Sequence, residues 1–193
     1  MEFEPRRAYE KIFGRGKSDS ERRAVSGDYQ SLLDMVLAEA NALAERLQSR
    51  EFCYMAELVA SATKKEEEVL DVAAKMGAVP QIAAIGVTSY AGGATGHDPV
   101  RIAAGLASLG LTPNVHITCV GQDRKGIAST LATLESLRIH NTFCISGDWP
   151  KNSPTPPVFD VDSVQLAGAV AELRRTHGTP FHVSCAVSPF KYQ

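Results

Sequence analysis

No apolar run in this sequence approaches the roughly 20 residues that a bilayer-spanning helix needs. The N-terminus, MEFEPRRAYEKIFGRGK, mixes both charge signs and has no apolar centre, so it does not read as a secretory signal. Charge of one sign is also missing. A net charge of −2 on 193 residues gives no global pull toward nucleic acid or an anionic membrane. The four cysteines, Cys53, Cys119, Cys144 and Cys185, match no CxxC or Cys/His zinc spacing. Each falls in a different apolar run, so they read as packing thiols of a reducing, cytoplasmic compartment. No HxH or HExxH pair joins the five histidines, and no metal site is expected. GxSxG and GxxxxGK[ST] are absent as well, which argues against an α/β-hydrolase and a P-loop nucleotidase.

What remains is ordinary globular material, 44% hydrophobic and 22% charged. Residues 1–28 are polar and read as an arm, and 30–48 as a leading helix with a Leu33, Val36, Leu37, Ala40, Leu43, Leu47 face. This divides the chain into an N-terminal extension, 1–50, and a main domain, 51–193. Five strand candidates follow, at 52–60, 81–90, 114–121, 141–148 and 181–188. Helices lie between them. The first, 64–76, places Val69, Leu70, Val72, Ala73 and Met76 on one side. The second opens on Asp98-Pro99, turns Ile102, Leu106 and Leu109 inward and ends near Gly110. The third follows Asp123 with Ile127, Leu131, Leu134 and Leu137, and the fourth runs from Asp162 to Gly178 with Leu166, Val170 and Leu173.

Strand–helix alternation means parallel strands with right-handed crossovers. A dinucleotide-type open sheet should carry GxGxxG after its first strand, where this chain has AELVASATKK. A (β/α) barrel instead gathers functional side chains on strand tips. Glu57, Thr88, Ser146, Asp148 and Ser188 stand at such tips, so the expected fold is α/β, of the TIM-barrel type. It is expected to be incomplete, because about five strands fit into a length that falls short of the roughly 250 residues of eight units.

Glu57 interrupts the uncharged run CYMAELVA and shares a strand face with Cys53, Met55 and Val59. It is either an acid–base group or an exposed or ion-paired structural glutamate. Asp148, in SGDWP, is either a site carboxylate or a turn former. His116, third in its strand, is either a satisfied core residue or a base.

The succession AEL (56–58), VTSY (87–90), HITC (116–119), SGDWP (146–150) and a fifth strand running into Ser-Pro resembles methylenetetrahydrofolate reductase, over about Phe52 to Tyr192. The resemblance implies a flavin-dependent TIM barrel. Its reaction passes hydride from NAD(P)H through FAD to 5,10-methylenetetrahydrofolate, giving 5-methyltetrahydrofolate. Glu57 matches the family's acid, which would protonate the departing ring nitrogen from a half-buried carboxyl. Asp148 matches the aspartate near flavin and folate. Thr88, Tyr90, His116, Ser146, Gly147, Ala186 and Ser188 fall where the family contacts FAD. Three departures stand out. Leu58-Val59-Ala60-Ser61 replaces Pro-Pro-Arg/Lys, Ser146 replaces an arginine, and Ser89 separates Thr88 from Tyr90. Folate is the implied substrate, with a homo-oligomer or a partner completing the barrel. The competing expectations are a cofactor-free half-barrel serving as an assembly subunit, and a pterin-dependent methyltransferase.

Overall fold

The computed structural model describes residues 42–49, 52–89, 91–94, 96–148 and 158–187. The arm at 1–28 and the leading helix up to residue 41 lie outside them, as do Tyr90 and Ser188. Helix α1 (Ala42–Gln48) precedes a regular alternation: β1 (Tyr54–Leu58), α2 (Glu66–Gly77), β2 (Ile82–Val87), a 3₁₀ turn (Ala91–Gly93), α3 (Pro99–Ser108), β3 (Pro113–Thr118), α4 (Arg124–Ser136), β4 (Asn141–Ile145), α5 (Ser163–His177) and β5 (His182–Cys185). No helix among the described residues is long and apolar enough to cross a membrane.

Three helices begin where an aspartate can satisfy the orphan backbone N–H groups of a first turn. Asp98 Oδ1 accepts from Val100 N at 2.7 Å and Arg101 N at 3.2 Å, with Pro99 in the first helical position. Asp123 Oδ1 accepts from Gly126 N at 2.7 Å. Asp162 and Gln165 cap each other reciprocally. Helix α5 stops at Gly178, whose φ of 65° a side chain would strain.

The strands form one sheet in the order β1-β2-β3-β4-β5, every neighbouring pair parallel. It does not close into a barrel: β1 and β5 are its edges. Alternate residues separate its two faces. Leu58, Ile85, Val87, Val115, Ile117 and Cys144 join the helix stripes (Val69, Ile102, Leu106, Ile127, Leu131, Leu134, Leu166, Val170) in one core. Each such side chain contributes roughly 1.5–3 kcal/mol when fully buried. Glu57, Gly86, Asn114, His116 and Phe143 belong to the opposite face. This is the expected α/β alternation of an incomplete barrel.

The details differ from expectation at several points. The strands are shorter than the apolar runs, because the tips at 59–60, 88–89, 119–121 and 146–148 lie beyond the strand ends, and β3 begins one residue earlier, at Pro113. Val72, Leu109 and Leu137 are exposed rather than inward. Leu109 and Leu137 are the residues that end α3 and α4, where the chain turns away from the core. Cys119 and Cys144 are buried as packing thiols, but Cys53 is only half-buried and Cys185, on an edge strand, is exposed. Burial pushes Cys119 up to about 11 and Cys144 up to about 12.

Candidate functional site

In β1 the two-residue period puts Glu57 on the face away from the helices, paired in register with Gly86 of β2. Gly86 in turn pairs with Asn114 of β3. A Cβ on Gly86 would lie 3.7 Å from Glu57 Cγ and 3.1 Å from His116 Nε2. The bare backbone of Gly86 therefore leaves a slot with the acid on one side and the imidazole on the other. Glu57 is exposed, not half-buried, because β1 is an edge strand with no neighbour on its outer side among the described residues.

His116 is only 6% exposed, and its ring lies against Phe143 at 4.7 Å with a 36° tilt. Burial holds its pKa below the usual histidine value, partly offset by the Glu57 charge. The neutral form is favoured, and the buried ring presents Nε2 to the slot. Asn114 and Thr118, two residues before and after it, are fully buried on the same face. Asn114 Nδ2 reaches Met55 Sδ at 3.6 Å, while Asn114 Oδ1 and Thr118 Oγ1 have no partner. Asn141 Oδ1 on β4 is in the same state. Buried polar atoms left unsatisfied are costly and call for an explanation, such as a ligand or ordered water.

At the C-terminal ends of the strands the remaining residues separate into three groups. Thr88 Oγ1 donates to Leu58 O at 3.2 Å, which ties the β2 tip to the residue after Glu57. Ser146 Oγ donates to Ser163 Oγ at 3.4 Å, at the start of α5. Asp148 Oδ2 accepts from Gly92 N at 2.8 Å. Gly147 has φ 85°, and a Cβ there would meet Val120 Cγ1 at 2.4 Å and Thr118 Cβ at 3.0 Å. A pocket of about 360 Å³ opens at the ends of β2 and β3, lined by Ser89, His97, Asp98, His116, Gln122 and Thr130 among others.

The structure thus brings Glu57 and His116 to one slot and places Asp148 at the same C-terminal end of the sheet. No hydrogen bond or ion pair joins Glu57 to Asp148 among the described residues. Ala186 follows β5 and is exposed. Sequence reasoning passed over Gly86, Gly92, Asn114, Thr118 and Asn141. For Asn114 and Thr118 a signal existed, since both share the period-two face of His116. For the glycines it did not, because their value lies in what faces them. No cluster of three or more His, Cys, Asp or Glu suited to a metal ion occurs among the described residues.

No individual curated protein matches this chain. A family model does, that of methylenetetrahydrofolate reductase, over residues 42–192. That span covers most of the sequence, including all five strands and the polar face just described, and so the chain belongs to the methylenetetrahydrofolate reductase family.

Proposed function

We propose that the protein is an FAD-dependent oxidoreductase that reduces 5,10-methylenetetrahydrofolate to 5-methyltetrahydrofolate, with NAD(P)H as electron donor. Family membership supports the reaction class. One observation carries the assignment to this face: Glu57, His116, Asn114 and Thr118 stand together on the face of the sheet opposite the one that packs against the helix stripes.

The residues present fit a flavin. An isoalloxazine has one edge of hydrogen-bonding groups and a flat apolar body. Thr118 Oγ1 at the end of β3, and Asn114 Oδ1 and Asn141 Oδ1 nearer the strand starts, are buried groups in want of partners, and the His116 ring lies against Phe143. His116, Thr118, Gly147 and Asp148 are the groups we assign to holding it, with Thr88 and Ser146 at the margin. Bound there, FAD would supply a two-electron carrier between nicotinamide and folate.

The chain's own part is proton management and placement. Carbon–nitrogen cleavage in the folate ring needs a proton on the departing nitrogen, and Glu57, open to the cleft at the β1 tip, is the donor within this set. Being exposed, it recovers its proton from solvent. His116, on the other side of the slot, is held toward its neutral form by burial and adds no cation there. The carboxylate of Asp148 places a negative charge at the mouth, where it bears on both flavin and folate.

The test is reconstitution with FAD followed by separate half-reactions. The expected result is flavin absorbance on the folded chain. Glu57→Gln should leave flavin reduction by NAD(P)H intact and slow the folate half-reaction by about 10²–10⁴-fold. Equal loss in both halves would refute the role of Glu57, and a folded chain that takes up no flavin would refute the cofactor.

A second reading, a cofactor-free subunit of an assembly, draws on the β1 edge. Phe52, Tyr54, Met55 and Val59 are all exposed there, Phe52 by 82%. Sedimentation distinguishes the two: flavin-free association supports the assembly subunit, and a flavin-bearing monomer removes it.

A further inference from the structure

The segment between β2 and α3 is fastened at both ends. At its far end His97 N donates to Ala60 O at 2.8 Å, and His97 Nε2 pairs with Lys64 O at 2.9 Å. Ser61 and Gly96 form an antiparallel bridge in the same clasp. A Cβ on Gly96 would come within 2.5 Å of Ala60 O, so these two backbones meet only because Gly96 has no side chain. The near end reaches the opposite way, to the tip of β4. There Gly92 N donates to Asp148 Oδ2 at 2.8 Å, joining residues 56 positions apart.

Gly92 and Gly93 both have positive φ, 63° and 73°. Space does not impose glycine at 92, since nothing lies within 4 Å of a Cβ built there. The backbone angle does: other L-residues pay for a left-handed conformation, Asn and Asp least among them. A bond from a backbone N–H to a carboxylate is also stronger than a neutral one.

We propose that Gly92 is a positioning residue: its N–H fixes the Asp148 carboxylate at the C-terminal mouth of the sheet, and the paired left-handed glycines set that N–H in place. Gly96 and His97 are thus held to the loop after β1 and Gly92 to the tip of β4, so the contact defines where a negative charge stands relative to the slot between Glu57 and His116. The catalytic half of this inference rests on the reductase reading; the carboxylate–amide contact does not.

The experiment uses the full ¹⁵N-labelled chain. The Gly92 amide resonance, assigned through Gly92→Ala, is compared in the parent chain, Asp148→Asn and Asp148→Ala. It should move in both variants, and its hydrogen should exchange with solvent faster in Asp148→Ala, where the acceptor is gone. In half-reactions of the FAD-loaded protein, Gly92→Ala should slow the folate step roughly tenfold and change flavin reduction by less than about twofold. Gly92→Asn, which tolerates the left-handed backbone, should recover most of that loss. A Gly92 amide indifferent to the Asp148 substitutions, or a Gly92→Ala protein with an unchanged folate step, overturns the proposal. A Gly92 amide that responds to them in a chain that takes up no flavin overturns the reductase reading instead and leaves the contact standing.

Discussion

Replacing Gly147 by alanine tests how tightly the β4 tip is laid against β3. Two costs add at this position. The first is conformational, since φ is 85°, and for an L-residue a left-handed backbone costs roughly 1–2 kcal/mol. The second is steric. The new methyl would stand 2.4 Å from Val120 Cγ1 and about as close as 3.0 Å to Thr118, and both residues are buried with nowhere to retreat. Overpacking of this kind costs typically 1–3 kcal/mol. The expected loss is therefore about 2–5 kcal/mol, read as a lower urea midpoint with an unchanged slope. Gly178→Ala supplies the control: its φ of 65° is equally left-handed, but nothing lies within 4 Å of its Cβ, so only the conformational cost of roughly 1–2 kcal/mol applies. The difference between the two variants isolates the packing of the tip against β3. Equal losses for both would refute the close approach.

Acid should weaken the fold through its buried histidines. Burial, and then the nearby Arg138 charge, lower His140 from 6.5 to about 4, so protonation favours the unfolded chain. The stability this neutral ring contributes is fully present above pH 6.5 and is lost as pH falls toward about 4. Burial pushes His116 and His182 in the same direction, and urea midpoints across that window should decline with pH; a flat profile would contradict the burial of these rings. Glu57→Gln should lower the His116 pKa further, because the Glu57 charge is what partly raises it, and an imidazole NMR titration reads the shift. A thiol reagent should modify Cys185 in the native protein and reach Cys119 and Cys144 only on unfolding, since the latter two are buried and held at about 11 and about 12. Asp98→Ala, which leaves Val100 N and Arg101 N without their acceptor, should cost about 0.5–2 kcal/mol by denaturant titration.

Much of this architecture was legible because its signals are local. Asp98-Pro99, Asp123 and Asp162 mark helix starts by chemistry that acts within three residues, and all three cap as expected. The apolar runs located all five strands, yet overran their ends. A parallel ladder stops where its neighbour stops, and no single strand carries that information. Glu57, matched to the family's acid, was expected to be half-buried. Its exposure follows from the edge position of β1, which is a property of the sheet. The polar tips were found at 88, 146 and 148, but their partners were not: Leu58 O, Ser163 and the Gly92 amide lie 30, 17 and 56 positions away. Gly86 was invisible for the same reason. A glycine in a strand shows its purpose only when the residues on either side of the missing side chain are known.

The sheet keeps its strands in chain order, and this bears on how the protein comes into being. Each strand pairs with the one made just before it, so its partner lies just under thirty positions upstream, or about forty for β5, and an α-helix lies in each interval. Closing such spans is entropically mild, and topologies built from moderate separations fold faster than those that must join distant ends. During synthesis every new βα unit emerges onto a template already laid down, with one open edge to receive it. Growth can therefore proceed as successive accretion rather than as one concerted search.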